Sequence, residues 1–210
     1  MQTREKLPPV LADWPVARER VVNAVEKIFE RRDRVTALLE QAGIAYAVIG
    51  GNAVGVWVGR VDESLVRFTR DVDILLRRAD LLKAQAVLEG AGFIFRHVRG
   101  VDMFLDGPNS KVGDAVHVLF AGEDVRASQI MPNPDVADSE PADGFRVLSL
   151  PALVQMKLTA FRRKDQVHLE DMIQVGLIDQ TWPVRYPPEL AQRLQYLLDN
   201  PESGQEDSDE

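Results

Sequence analysis

Two aspartates separated by one residue are the first candidates for chemistry in this sequence. Asp71 and Asp73 flank Val72 and precede the apolar residues 74–76, a pattern that predicts a buried strand. Because side chains alternate along a strand, both carboxylates would point to the same face. Mg²⁺ (or Mn²⁺) suits such a pair, since it binds a few carboxylates and completes its shell with water and phosphate oxygens. The pair alone also fits surface charge, but its place on an apolar strand favours a metal site.

A pair of glycines lies at the end of an earlier predicted strand. Gly50 and Gly51 let the backbone approach a ligand closely and leave amides free for phosphate oxygens. A plain turn is one alternative. A dinucleotide-binding site is another, because Asp71 lies 20 residues after Gly51, where such folds place a ribose-binding acid. Against that site, GGNAVG departs from the GxGxxG pattern.

A lysine lies within an apolar helical stripe further along the chain. Lys157 is one turn from several of the stripe residues, Leu153, Val154, Leu158 and Phe161. A core-facing lysine costs free energy unless its ammonium reaches water or an anion. A triphosphate or a carboxylate would serve, and a lysine that extends to water at the edge of the stripe is the alternative.

The elements that must position these residues form a mixed pattern of helices and strands. The apolar spacing predicts helices over 15–41, 52–58, 80–88, 150–162, 165–176 and 188–199, and strands over 45–49, 71–76, 93–98, 101–105 and 114–120. The expected fold class is α/β (α+β), with a small mixed sheet flanked by helices and then a helical C-terminal part.

Five segments follow from this pattern. They are an N-terminal helical segment (1–42), an α/β core (43–126), a loop or linker rich in Pro, Asp, Ser and Ala (127–144), a helical C-terminal part (145–200) and an acidic tail (201–210). The tail lacks apolar residues and is predicted to be disordered.

Composition limits the classes of protein that fit. The 210 residues include no cysteine, which excludes disulfides and thiolate metal sites. No apolar run approaches the ~20 residues of a membrane span, so we expect no membrane partner and a cytoplasmic location. The net charge is −8, but five of the acids lie in residues 202–210, so the rest of the chain carries −3. A polyanionic partner therefore needs only a local basic surface.

The glycine pair and the aspartate pair together resemble a known superfamily. VIGGNAV followed by RFTRDVDILL is similar to the Gly-Gly and DxD signature of polymerase-β-like nucleotidyltransferases. The order Arg67, Thr69, Asp71, Asp73 most resembles the branch of abortive-infection type IV toxins and related uncharacterised nucleotidyltransferases. LPALVQMKLTAFRRKDQVHLEDM resembles the helical segment of that branch. The resemblance covers residues 40–178 and implies the nucleotidyltransferase fold.

The resemblance also implies roles for individual residues. Asp71 and Asp73 would hold the metal, and Lys157 would neutralise the triphosphate while Asp171 orients the lysine. Asp165 is the alternative to Asp171, although its place at a predicted helix start favours an N-cap. The nucleotide-binding residues would be Gly50, Gly51, Asn52, Arg67 and Thr69.

The implied activity is transfer of a nucleoside monophosphate from an NTP to an acceptor hydroxyl. In the toxin-like branch the acceptor is the 3′ end of a tRNA or a protein side chain, and a cognate antitoxin would be a partner. The sequence selects neither the NTP nor the acceptor.

One position departs from the superfamily pattern. A third carboxylate is usual on a later strand, but His117 stands at the matching place, and Asp114 would face the other way. His117 is therefore an uncertain third metal ligand, and it also fits a base or a core residue. The departure supports a second hypothesis, a catalytically lapsed member that binds nucleotide or a partner protein. His97 and His168 look like ordinary surface or helix residues.

Overall fold

The computed structural model describes residues 14–126 and 129–201. The first 13 residues and all but Pro201 of the predicted acidic tail lie outside this range, so the expected disorder of the tail stays a prediction. None of the described helices is long and apolar enough to cross a membrane.

One sheet of seven strands forms the centre of the described chain. Its order is β3-β4-β5-β2-β1-β7-β6. The strands are β1 Tyr46–Ile49, β2 Val72–Leu76, β3 Ile94–Val98, β4 Val101–Leu105, β5 Val116–Phe120, β6 Ser139–Ala142 and β7 Phe145–Leu148. The β2/β5 and β1/β7 pairs are parallel, and the other neighbouring pairs are antiparallel. The expected mixed sheet is confirmed.

Six α-helices pack around this sheet within the described residues. They are α1 Trp14–Gln41, α2 Gly50–Gly59, α3 Leu81–Gly90, α4 Leu150–Ala160, α5 Arg163–Gln174 and α6 Pro188–Asp199. Both ends of each helix lie within two residues of the range predicted from apolar spacing. The prediction succeeded because each helix has an apolar stripe that packs into the core.

The two strands beneath the candidate site are almost completely buried. Every residue of β1 is buried, and Asp73 is the one residue of β2 that is not. Strands covered on both faces read as continuous apolar runs, which is why both were recognisable from sequence. Asp73 is therefore a charged residue in an otherwise apolar, buried strand, which indicates a functional role.

The segment predicted as a loop or linker contains a strand. Ser139–Ala142 forms β6, which pairs antiparallel with β7, and β7 itself lies inside the part predicted to be helical. β6 includes Pro141, which a sheet tolerates at its edge, where a missing backbone donor breaks no ladder bond. The linker at 127–144 and the purely helical composition of 145–200 are thus wrong in these two places.

The dinucleotide-binding alternative is excluded by strand direction. That fold requires the strand after the glycine-rich turn and helix to run parallel to the first strand. Here β1 and β2 are antiparallel neighbours, with Ile49 opposite Asp73.

Candidate active site

The parallel pairing of β2 with β5 brings three metal-binding side chains together. In this register Asp73 lies beside His117, and adjacent parallel strands place such partners on the same face. The Nδ1 atom of His117 is 3.4 Å from a carboxylate oxygen of Asp73 and 4.0 Å from one of Asp71. One ligand atom from each residue lies within 4.8 Å of the others.

These three side chains remain accessible. Asp71 is 39% exposed, Asp73 23% and His117 20%, so the cluster is half-buried and open to a ligand. The hydrogen bond with Asp73 raises the pKa of His117, and the charges of both aspartates add to this effect against the cost of burial. The imidazole thus faces a concentrated negative charge, as a bound cation would.

The donor set fits a divalent ion. Two carboxylates pointing together suit Mg²⁺, and an imidazole nitrogen is better tolerated by Mn²⁺. Asp114, the other carboxylate near β5, belongs to a short 3₁₀ turn, Val112–Asp114, ahead of the strand. Among the residues that the structure describes, His117 rather than Asp114 completes the cluster.

Gly50 makes room for one of these carboxylates. It has a left-handed backbone with φ of 69°, which turns β1 sharply into α2. A Cβ atom built at this position would overlap the carboxylate of Asp73. Two constraints therefore favour glycine at this position, the left-handed backbone of the turn and the close packing of the Asp73 carboxylate.

Gly51 and Asn52 contact the segment that leads into the aspartates. A Cβ on Gly51 would overlap the side chain of Thr69. The side-chain nitrogen Nδ2 of Asn52 donates hydrogen bonds to the backbone carbonyl oxygen of Asp71 at 2.8 Å and to the hydroxyl of Thr69 at 3.3 Å. Asn52 thus fixes the backbone that carries Asp71.

Four of the five predicted nucleotide-binding residues line one cavity. Gly51, Asn52, Arg67 and Thr69 surround a space of about 120 Å³, to which α1 contributes Arg32. The structure brings these four together at the first turn of α2, where backbone amides favour anions. Gly50 lies beside them, against Asp73.

Asp171 does not contact Lys157, which corrects the expected pairing. The carboxylate of Asp171 accepts a hydrogen bond from Nε of Arg67 at 3.0 Å and is almost fully buried. It therefore connects α5 to the segment before the aspartates. Arg67 is thus its hydrogen-bond partner in the structure, and Lys157 hydrogen-bonds to Asp165 and His168.

Asp165 and His168 are the partners of Lys157. The lysine is buried, with its Nζ atom 2.9 Å from Nδ1 of His168 and 3.3 Å from Oδ1 of Asp165. Burial lowers the pKa of Lys157, while the carboxylates of Asp165 and Asp73 oppose that shift. Sequence reasoning missed His168, because helical spacing within one element does not show which residues of the next helix it meets.

Asp165 lies in the first turn of α5, but it is not the N-cap residue that the sequence favoured. The N-cap residue is Arg162, whose backbone N–H donates to the carboxylate of Asp165 at 3.2 Å, so Asp165 is the third residue of the helix and not its N-cap. The Arg162 guanidinium also donates to it at 2.7 Å. Burial alone would raise the pKa of Asp165, but Arg162 and Lys157 lower it below its ordinary value.

The other histidine, His97, is paired on the outer hairpin. Its Nδ1 atom is 2.6 Å from a carboxylate oxygen of Asp102, across the β3/β4 ladder. Asp71, Asp73 and His117 form the candidate metal group without it.

Comparison with known proteins identifies the chain. The model of a family described as uncharacterised nucleotidyltransferases matches residues 1–170. The chain belongs to this family. A search of curated proteins found none that matches.

One solved structure shares the fold of this nucleotidyltransferase, and two others are similar to it at lower TM-scores. An antigenic nucleotidyltransferase-like protein from Paracoccidioides brasiliensis is 20% identical, with a TM-score of 0.56 over 83% of this chain and 88% of that one. The protein JHP933 from Helicobacter pylori is 15% identical, with a TM-score of 0.49 over 88% of this chain and 76% of the other. The antibiotic-resistance factor ANT(2″)-Ia is also 15% identical, with a TM-score of 0.42, covering 84% and 82%.

The nucleotidyltransferase thus has two groups of opposite charge facing one region. Asp71, Asp73 and His117 form the acidic group on the sheet. Lys157, Arg162 and Lys164 lie at the junction of α4 and α5, and their charges act on the acidic group. The charge of Asp73 acts on Lys157 and Arg162, and the charge of Lys164 acts on His117. A metal-bound polyphosphate has the charge distribution that such a pair of groups would bind.

Proposed function

We propose that the chain transfers a nucleoside monophosphate from an NTP to an acceptor hydroxyl, with Mg²⁺ (or Mn²⁺) as cofactor. The observation that carries this proposal is the clustering of Asp71, Asp73 and His117 beside Gly50 at the start of α2. Family membership supports the transfer reaction, and the donor set supports a divalent ion.

The reaction follows from charge and position. The acceptor oxygen attacks the α-phosphorus, the bond from that phosphorus to the bridging oxygen breaks, and pyrophosphate leaves with release of the hydroxyl proton. A metal held by Asp71, Asp73 and His117 would supply charge neutralisation at the phosphates. The amides at Gly50 and Gly51 orient the phosphates, and Lys157 provides positive charge for the departing pyrophosphate.

The acceptor is proposed from the resemblance to the toxin-like branch. The 3′ end of a tRNA or a protein side chain is the acceptor there, and the chain would then act as the toxin of a toxin–antitoxin pair. The basic residues beside the site, Arg162 and Lys164, suit an acceptor with phosphates, whereas the chain as a whole is acidic.

A second candidate function rests on His117. Its Nδ1 atom is 3.4 Å from Asp73, and the hydrogen bond with Asp73 raises its pKa, so an imidazolium can offset one of the two carboxylate charges without a metal. Such a chain would bind nucleotide or a partner protein and not catalyse transfer.

The two candidates differ in pyrophosphate release. We would incubate the protein with each of the four NTPs, with Mg²⁺ or Mn²⁺, and with total tRNA or total cell protein, and measure pyrophosphate. Metal-dependent release that requires an acceptor supports transfer. NTP binding without release under any of these combinations supports the second candidate.

A further inference from the structure

A cluster with a buried lysine and a buried aspartate lies at the junction of α4 and α5. It comprises Lys157, Arg162, Asp165 and His168, and we call it the Lys157 cluster. The ammonium of Lys157 donates to Nδ1 of His168 and to Oδ1 of Asp165. An ammonium has three protons, and among the described residues these are its two hydrogen-bond partners. One proton therefore remains available for a ligand.

The charges of the cluster do not cancel. Asp165 is 1% exposed and is shared between two cations, because Arg162 binds it at 2.7 Å and Lys157 at 3.3 Å. The second partner of Lys157 is an imidazole that must be neutral to accept this hydrogen bond. Burial and then the charge of Lys157 lower the pKa of His168 to about 4, which agrees with that state. Two cations and one carboxylate leave a net charge of +1.

We infer that His168 is a positioning residue that holds Lys157 without neutralising it. A carboxylate at this place would fix the lysine equally well but would cancel the remaining charge. A neutral acceptor fixes the ammonium and leaves its charge for an anion. This inference rests on the proposed function, because the anion is the triphosphate or the departing pyrophosphate.

The direction of that free charge is given by the electrostatics of the site. Helices α4 and α5 pack against α2, whose first residue, Gly50, lies against the carboxylate of Asp73. Burial lowers the pKa of Lys157, and the charge of Asp73 opposes that shift and also acts on Arg162. Lys164, which is exposed, acts on His117 and on His168. The cluster thus adds positive charge to the side of the site that faces Asp73, where the phosphates would lie.

Three substitutions at one position separate this role from a purely structural one. His168→Asn keeps a neutral acceptor near the position of Nδ1, His168→Asp keeps an acceptor but adds a negative charge, and His168→Leu removes the acceptor. The probe is inorganic triphosphate with Mg²⁺, measured by titration calorimetry on the full chain, with a thermal melt of each variant. His97→Asn is the matched control, because His97 also hydrogen-bonds a charged side chain, Asp102, but lies on the outer hairpin.

The expected order of affinity follows from charge and not from stability. His168→Asn should bind triphosphate within about threefold of the parent, since one neutral acceptor replaces another. His168→Asp should melt at or above the parent but bind about tenfold more weakly or worse, because it cancels the free charge. His168→Leu should lose about tenfold through the missing hydrogen bond. His97→Asn should not change binding.

Two results would overturn the inference. If His168→Asp binds triphosphate as tightly as the parent, the neutrality of His168 is irrelevant. If His168→Asn loses binding as severely as His168→Asp, the site requires the histidine for another reason. The transfer activity of the parent, assayed in parallel, keeps the two proposals apart. An active parent with an unaffected His168→Asp variant rejects this inference alone, whereas a parent that neither binds triphosphate nor transfers nucleotide rejects both.

Discussion

At the residue scale, two glycines leave the space that the neighbouring side chains of the site occupy. Gly50 and Gly51 lack the Cβ atoms that would overlap Asp73 and Thr69. Asp71 and Asp73 place two like charges on one face, which favours binding of a cation over an empty site. These four positions were recognisable from the sequence because each departs from what a buried strand or a helix start needs for folding alone.

Removal of one aspartate charge should not destabilise the protein without ligand. Asp71→Asn and Asp73→Asn keep the side-chain shape and relieve like-charge repulsion, so each variant should melt at or above the parent. The parent should gain about 2.7 kcal/mol at a ligand concentration 100 times Kd, and each variant should lose most of that gain. Thermal melts with and without Mg²⁺ and NTP measure both effects. A variant that melts well below the parent and still responds to Mg²⁺ and NTP would mean that the aspartates serve the fold.

Gly51→Ala should weaken both folding and nucleotide binding. The added methyl group overlaps Thr69, and overpacking of this kind costs about 1–3 kcal/mol. Because Thr69 leads into Asp71, NTP affinity should fall as well. Urea unfolding and NTP titration measure the two effects.

The matched control for Gly51→Ala is Gly90→Ala on α3, where an added Cβ meets no atom within 4 Å. This control should raise the free energy of unfolding by about 0.4–1 kcal/mol, because alanine has fewer conformations than glycine in the unfolded chain. Thr69→Ala combined with Gly51→Ala should restore part of the loss. Unchanged stability and affinity in Gly51→Ala alone would show that the close approach to Thr69 is not needed.

At the scale of elements, helix α5 connects both groups of the site. Its first turn holds Asp165, the next holds His168, and Asp171 binds Arg67 ahead of β2. The sequence predicted α5 and its acidic residues but paired Lys157 with Asp171. The pairing could not be predicted, because it depends on how α4 and α5 cross, and helical spacing within one element does not determine that crossing.

His168 should produce a measurable pH dependence of stability. Its pKa is about 4 in the folded protein and about 6.5 when unfolded. Between these values the unfolded chain binds more protons, so stability is complete above about pH 6.5 and falls as the pH drops towards 4. The slope reaches about 1.4 kcal/mol per pH unit, for a total of up to about 3 kcal/mol.

The measurement compares urea unfolding of the parent and of His168→Asn at pH 4.5, 5.5, 6.5 and 7.5. The difference between the two curves isolates His168, because every other titratable residue is the same in both proteins. Asp165 has an ordinary pKa of 3.8, below this window. Parallel curves would show that His168 is not held neutral by burial and by Lys157.

The Arg67–Asp171 pair should couple α5 to the segment before β2. Asp171 is 7% exposed, whereas Arg67 is 64% exposed, so we expect a coupling free energy of only about 0.5–1 kcal/mol. A double-mutant cycle with Arg67→Gln and Asp171→Asn measures it. Arg67→Gln should also weaken NTP binding, since Arg67 lines the cavity beside Gly51. A coupling of zero together with unchanged NTP affinity would leave the pair without a role.

At the scale of the whole molecule, the sequence predicted the central sheet and missed its margin. β1 reads YAVI, and β2 and β5 are apolar apart from Asp73 and His117. In contrast, β6 reads SEPA, and its pairing with β7 makes it a strand. A strand held by its neighbour leaves no propensity signal of its own. The site could be predicted because Asp73 and His117 are polar residues in otherwise apolar strands, where folding alone seldom requires them.

Charge at this scale agrees with a local basic site on an acidic protein. The net charge is −8, yet Lys157, Arg162 and Lys164 gather at one junction that faces Asp73. Such a local excess steers a polyphosphate to one place and leaves the rest of the surface unattractive to polyanions.

The position of the phosphate label after reaction tests the central claim most directly. The parent, Asp71→Asn and Asp73→Asn are incubated with Mg²⁺, total tRNA or total cell protein, and each NTP labelled at the α- or the γ-phosphate. The account predicts that the α-label enters an acceptor, that the γ-label leaves in pyrophosphate, and that both variants lose transfer by orders of magnitude. Transfer of the γ-label, or full α-label transfer by either variant, would contradict a nucleotidyl transfer centred on Asp71 and Asp73.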